Sequence, residues 1–264
     1  MVGTLLRQYY KTAMMSAAGI VGDNALFLLD YLLRFLRVAL LLSLWRILLA
    51  GRGVVSGMTL ASVLTYTLIA EVFAEPLACR TWLESAFWDG SITTRFLRPM
   101  GIFGQFAAEM FGKWAFSFCL FSLPLLLAAP LLGVNALPAS SLSAVLFLLS
   151  LVLGISVGLA LEYIFSALAI GLGMHPYAMN SMRAAVQALL SGAFLPLALL
   201  PWGIGNLFGL LPFAAMASIP LRIYTGTGNP PLLLATQAGW SVVLWPLAIF
   251  LWKKYRERMV SHGG

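Results

Sequence analysis

No Asp, Glu, Lys or Arg occurs between Lys113 and Glu162, a run of 48 residues. Two further charge-free runs, of 38 and 30 residues, separate Arg183 from Arg222 and Arg222 from Lys253. A core built by only 264 residues cannot bury stretches of that length. Charged residues make up 9% of the chain and hydrophobic ones 61%, where soluble domains carry about 25% charged residues. A soluble enzyme, a disordered protein and a soluble nucleic-acid binder are thereby excluded. The remaining class is a polytopic membrane protein in the lipid bilayer, with no nucleic-acid partner. The runs are continuous Leu, Ala and Phe without period-two alternation, so they predict helices and not barrel strands. A helix also satisfies its own backbone groups in lipid.

Six spans are expected, at 31–50, 58–78, 103–130, 141–170, 184–201 and 232–252. Before them, residues 1–22 are too interrupted to cross. Leu5, Tyr9, Ala13, Ala17 and Ile20 share one helical face, with Arg7 and Lys11 on another, which predicts a helix lying in the membrane interface, apolar side down. A secretory signal peptide is the rival reading of this start. Asp23-Asn24 then supplies a cap for the next helix. Arg34, Arg37 and Arg46 are placed where long side chains snorkel to the headgroups. Gly51, Gly53 and Gly57 predict a short turn, and 171–182 reads as a loop. Residues 202–231 are apolar but broken by glycines and prolines, and predict short re-entrant or interfacial helices.

Six spans put both termini on one side. That side holds ten Lys and Arg against two, Arg52 and Arg222, on the other. The asymmetry places both termini in the cytoplasm, and the net charge of +7 agrees with it.

The candidate chemical motifs are weak. Gly154-Ile-Ser156-Val-Gly158 fits the nucleophile pattern G-x-S-x-G but lies inside an apolar helix; Gly154 and Gly158 read better as a small-residue packing face. No P-loop and no H-E-x-x-H is present. Asp89-Gly90 followed by Arg95 lacks a second acidic cluster for metal-dependent phosphotransfer. Cys79, Cys119, His175 and His262 do not form a zinc set. Catalytic and metal residues are therefore expected to be none.

More informative are four acidic residues within spans. Glu71 and Glu75, four apart on one face, with Glu109 and Glu162, fall in the cytoplasmic half under the orientation above. They read either as a charged vestibule or gate, or as locally paired groups, Glu109 with Lys113 among them. If Arg34 and Arg37 snorkel outward, four carboxylates face only Lys113 and Arg80. That surplus predicts a cationic or amphipathic-cationic substrate. The cytoplasmic stretch from Cys79 to Met100 mixes Trp82, Phe87, Trp88, Ile92 and Phe96 with charges, a composition suited to a partner interface.

Three stretches, FLLDYLLRFLRVALLLSLWRILLAG, SAFWDGSITTRFLRPMG and SGAFLPLALLPWGIGNLFGLLPFAAMASIPLRIYTG, together with the span order, resemble the permease subunits of type-2 (ABC-2-like) ATP-binding cassette exporters, in the small six-span branch. The resemblance implies an all-α integral membrane fold, with an N-terminal interfacial helix, six transmembrane helices and short broken helices between spans five and six. Residues 1–264 would be a single permease domain, with an elbow helix at 1–30, a coupling segment at 79–100 and outer broken helices at 202–231. Asp89, Gly90, Arg95, Arg98 and Pro99 would contact a cytoplasmic ATPase subunit, and ATP and Mg would bind there and not on this chain. A second permease, identical or related, would complete the transport path in the inner membrane. Relatives export drugs, toxic cations, lipids or glycans. The alternatives are an ATPase-independent secondary transporter and, further off, an integral-membrane enzyme.

Overall fold

In a computed structural model the chain is all-α apart from one hairpin, and residues 2–23 and 27–261 are described. Asn24, the expected cap, and His262 lie outside the described residues.

Helix α1 (Val2–Asp23) is followed by α2 (Phe27–Leu48). The glycine turn is a two-stranded hairpin, β1 (Val54–Val55) with β2 (Met58–Thr59). Its two central residues, Ser56 and Gly57, both have positive φ, at 50° and 79°, as a tight hairpin requires. Thr59 and Ser62 then form a reciprocal capping box that starts α3 (Leu60–Val72). After Phe73 comes α4 (Ala74–Ala78), then α5 (Leu83–Trp88) and α6 (Ile92–Phe96). The third hydrophobic run is α7 (Ile102–Ser117), a π-helical turn over Phe118–Ser122, and α8 (Leu123–Ala128).

The longest charge-free run contains α9 (Ser141–Leu172), capped by the Ser140 hydroxyl and closed by left-handed Gly173. Then come α10 (Pro176–Leu190) and a set of short pieces: α11 (Ile204–Gly209), α12 (Pro212–Met216) and α13 (Ser218–Tyr224). The chain ends in α14 (Pro230–Ser261).

Among the described residues, three helices are long and apolar enough to cross a membrane: Ile102–Ala128, Ser141–Leu172 and Pro230–Tyr255. Length and composition alone therefore do not reproduce the expected count of six. Helix α2 carries Asp30, Arg34, Arg37 and Arg46. The second expected span is broken at Phe73 into helices of 13 and 5 residues. In the fifth expected span, 184–201, the α-helix ends at Leu190, and only short 3-10 turns, at Leu197–Leu199 and from Pro201, follow.

The expected loop at 171–182 is corrected as well. Residues 171 and 172 finish α9, and Pro176 opens α10. Proline at the first helical position gives up an N–H that has no partner there anyway, and His175 Nδ1 accepts from the Tyr177 N–H at 3.1 Å. A residue that breaks helices internally starts this one.

Helix α9 is the axis of the bundle. Helix α14 packs along it, with α12 and α13 near its middle and start, and α4, α5 and α10 toward its C-terminal half. Gly154 and Gly158 form the anticipated close-packing face. A Cβ on Gly154 would lie 2.9 Å from the Met216 carbonyl oxygen, and one on Gly158 would lie 2.7 Å from the Cys79 Cβ. Between them Ser156 Oγ receives the Trp245 indole N–H at 2.9 Å and bonds Ser241 Oγ at 3.2 Å. Its hydroxyl thus joins α9 to α14 on a continuous helix, not on a hydrolase elbow. One turn and a half earlier, buried Gln237 of α14 accepts from Ser150 Oγ at 2.7 Å and donates to the Ser150 and Ala215 carbonyls.

Helix α1 lies against α7. Its Tyr9 and Ala13 pack on α7, at Gly104 and Gly112, where added Cβ atoms would sit 2.7 Å from Tyr9 Oη and 2.0 Å from the Ala13 carbonyl oxygen. Leu6, Tyr10, Met14 and Met15 face away from the protein. The face expected to rest on lipid is in part the one that binds α7.

Candidate functional site

The stretch from Cys79 to Met100 has the densest polar chemistry. Its root is a sharp reversal between α4 and α5. Cys79 and Trp82 both have left-handed backbones, at φ 49° and 61°, a conformation that costs non-glycine residues roughly 1–3 kcal/mol each and persists only when neighbours impose it. Three side chains from α9 and α10 do so. Arg183 donates to the carbonyls of Ala78 and Cys79, both at 2.9 Å. Gln187 donates to the Leu77 carbonyl at 3.0 Å. Glu162 Oε1 accepts from the Thr81 N–H at 2.6 Å and from the Thr81 hydroxyl at 2.8 Å. Arg183 also pairs with Glu162 itself.

From this root the chain runs outward. The Arg80 guanidinium lies over the Trp82 ring, 3.4 Å from its centroid. Burial lowers the Arg80 pKa from its ordinary value, opposed by the charges of Glu84 and Glu162. In α5, buried Glu84 accepts from the Ser166 hydroxyl at 2.9 Å. Asp89 folds back to accept from the Ser91 N–H at 2.9 Å, and Gly90 takes the positive φ, 76°, that this turn needs.

Helix α6 is fastened by Arg95, whose guanidinium makes a two-point pair with Glu109 of α7 at 2.6 and 3.1 Å and lies over the Phe106 ring. Buried Gln105 donates to the carbonyls of Arg95 and Met100. Beyond this staple, Leu97 is 86% exposed and Arg98 and Pro99 are also exposed. A cleft of about 750 Å³ opens between α5 and the end of α9, with Trp88, Asp89 and Ile170 among its walls. Trp88 also meets His175 edge to face, at 4.7 Å between centroids.

The five residues that the resemblance assigned to ATPase contact thus divide. Asp89, Arg98 and Pro99 stand on the exposed side, Gly90 makes the turn between the two short helices, and Arg95 is an internal fastener. The four acidic residues each have an arginine. Glu75 pairs with Arg34 at 3.1 Å, Glu71 with Arg37, Glu109 with Arg95 and Glu162 with Arg183. Arg34 also donates to Ser117 Oγ and lies over the Phe121 ring. Arg46 donates to the Leu132 carbonyl. Outward snorkelling of Arg34 and Arg37 is therefore not what the structure contains, and Glu109 pairs with Arg95 and not with Lys113. The surplus of negative charge on which a cationic substrate was expected is absent. Sequence reasoning missed Arg183, Thr81 and Gln187. Arg183 and Gln187 are four apart, the spacing that puts two donors on one helical face, but their acceptors lie more than 100 positions away.

Among the described residues no three His, Cys, Asp or Glu side chains converge as a metal site would require. What is assembled is a rigidly rooted helix pair presenting an aromatic and charged tip. A family model described as ABC-2 family transporter protein matches residues 35–263. This chain belongs to that family. As an ABC-2 type transporter permease it is a multi-pass membrane protein, and the membership implies association with an ABC ATPase. No curated protein and no solved structure gives a match.

Proposed function

We propose that this ABC-2 permease is the membrane-spanning subunit of an ATP-driven exporter, and that residues 79–100 receive the stroke of a separate cytoplasmic ATPase. The observation that carries this reading is the way the segment is held. Its tip is exposed at Asp89, Leu97, Arg98 and Pro99, while its root is gripped by Glu162 of α9 and by Arg183 and Gln187 of α10. A push on the tip is thereby delivered to the backbone at 77–81 and on to two long helices.

Helix α9 supports the same placement. Its 32 residues span roughly 48 Å at 1.5 Å per residue, against a hydrocarbon core of about 30 Å. The excess length is taken up by tilt or by projection, and α9's acidic residue, Glu162, lies in its C-terminal half beside residues 79–100. In this reading both termini are cytoplasmic in the inner membrane, a second permease copy or relative completes the path, and alternating access moves the substrate outward. The chain itself contributes no ATP or Mg site. Asp89, Gly90, Arg98 and Pro99 touch the ATPase, and Arg95 positions α6 for them.

The test is co-purification. The permease tagged in native membranes should bring down an ATPase subunit and its ATP hydrolysis. Replacing Asp89 and Arg98 together by alanine should remove most of both while the permease keeps its thermal stability. Unchanged capture and hydrolysis in that double variant would refute the assignment of the tip.

A further inference from the structure

At the other end of the bundle, Arg222 occupies the last turn of α13. It differs from the other arginines of the bundle interior except Arg80, whose guanidinium lies over the Trp82 ring. Arg34, Arg37, Arg95 and Arg183 each have a carboxylate, and Arg46 has a backbone carbonyl. Among the described residues the Arg222 guanidinium has neither. Nor can the sequence nearby supply one, because no Asp or Glu occurs between Glu162 and Glu257. The remaining acids whose side chains are described, Asp30, Glu71, Glu75, Glu84, Asp89, Glu109 and Glu162, belong to the opposite end or to its ion pairs. Ala139, just before α9 begins, donates its N–H to the Tyr224 carbonyl at 2.9 Å, whereas Glu84 meets the same helix at Ser166. The two regions are therefore separated by most of α9.

The surroundings of Arg222 are shaped around it. The loop after α13 folds back so that the Thr227 N–H donates to the Arg222 carbonyl at 2.8 Å. Gly228 follows with φ 94°, and a Cβ there would lie 2.7 Å from an Arg222 guanidinium nitrogen. Glycine tolerates that backbone, and a side chain there would displace the guanidinium from its present position. Arg222 borders a pocket of about 250 Å³ shared with Asn206 and Asn229, whose side chains make no hydrogen bond to another described residue, and with Leu197, Leu210 and Leu233. No acidic residue lines it.

A partly buried guanidinium with two free amides and leucine walls suits an oxyanion attached to an apolar body. The planar fork of arginine matches the tetrahedral oxygens of phosphate. We propose that Arg222, with Asn206 and Asn229, forms a phosphate-binding site on the membrane face opposite residues 79–100, filled by a phospholipid headgroup or by free phosphate. The proposal rests on the packing of α11, α13 and α14 and is independent of the ATP-driven reading.

Native mass spectrometry on the full chain released from detergent distinguishes the sources. Two lipid probes are used, phosphatidylglycerol and the phosphate-free monogalactosyldiacylglycerol. Inorganic phosphate is the third, read as a change in Tm of delipidated protein against equimolar chloride. For a headgroup site, the wild type should retain phosphatidylglycerol over the galactolipid by about tenfold, the worth of one charge-assisted contact, and Arg222→Gln should lose that preference. For a free-phosphate site, phosphate should raise the Tm of the wild type and not of Arg222→Gln, with no lipid preference. Arg222→Lys keeps the charge without the fork and should be intermediate. Asn206→Ala with Asn229→Ala keeps the arginine and should weaken whichever probe binds, which preserves the test if Arg222→Gln folds poorly. A wild type that prefers neither phosphate-bearing probe, or variants that bind as the wild type does, would overturn the site.

Discussion

Arg183 of α10 and Glu162 of α9 form an ion pair whose side chains are 5% and 2% exposed, and both also hold the backbone between α4 and α5. Removing either charge strands the other in a dry site. Arg183→Ala or Glu162→Ala is expected to cost about 3–5 kcal/mol, read as a large fall in thermal stability in detergent. Replacing both with apolar residues of similar size, Arg183→Met with Glu162→Leu, should cost less, roughly 1–3 kcal/mol, because only the carbonyl and Thr81 partners are then left unpaired. If the double variant is as unstable as the sum of the two single ones, the pair is not the unit described.

Arg95 and Arg98 are three apart but should respond differently. Arg95→Ala removes the two-point pair with Glu109 and the contact with Phe106, so Glu109→Gln should reproduce much of its effect. The two together should fall short of additivity, with a coupling of at least about 0.5 kcal/mol in a double-mutant cycle. Arg98→Ala removes an exposed side chain and should leave stability within about 0.5 kcal/mol. Additive behaviour at 95 and 109 would deny that Arg95 fastens α6 through Glu109.

Gly112 is where α1 comes closest to α7. A Cβ there would lie 2.0 Å from the Ala13 carbonyl oxygen, and backbone cannot yield as a flexible side chain can. Gly112→Ala should push α1 away, and amide hydrogen exchange over residues 2–23 should speed up while α9 stays protected. Gly239 has open space around it, so Gly239→Ala serves as the control. Unchanged protection of α1 in Gly112→Ala would show that the two helices do not pack at this point.

The proposed orientation puts Ser91 and Val54 on opposite sides of the membrane. Cys79 is fully buried while Cys119 is exposed, so only Cys119 needs removal before single cysteines are introduced. A membrane-impermeant thiol reagent added to intact cells should label Val54→Cys and spare Ser91→Cys. Labelling of both from outside would reverse the proposed placement of the segment.

The sequence by itself determined the class of this protein, because that depends on local quantities. Charge-free runs as long as 48 residues require lipid or protein around helices wherever they end up. Glycines mark turns and close faces by their own lack of a Cβ, as at Gly57 and at Gly154 and Gly158. The packing of α1 on α7 was not legible in advance, because the face of residues 1–22 that is apolar enough for lipid is equally able to meet a helix, and Gly104 and Gly112 mark that contact only once the two helices are side by side. Pro176 was ambiguous, because proline both stops and starts helices and only the capping geometry of His175 decides which.

The destination of each long charged side chain was not determined locally. An arginine stem reaches lipid headgroups, solvent or a carboxylate with equal ease, and the partners of Arg34, Arg37 and Arg183 come from other helices. Arg34 lies 41 positions from Glu75, and Arg183 lies 104 from the Cys79 carbonyl. Tertiary packing turned four apparently uncompensated carboxylates into four ion pairs. It left Arg222, in a stretch of sequence with no acid to meet, partly buried beside a pocket without a carboxylate.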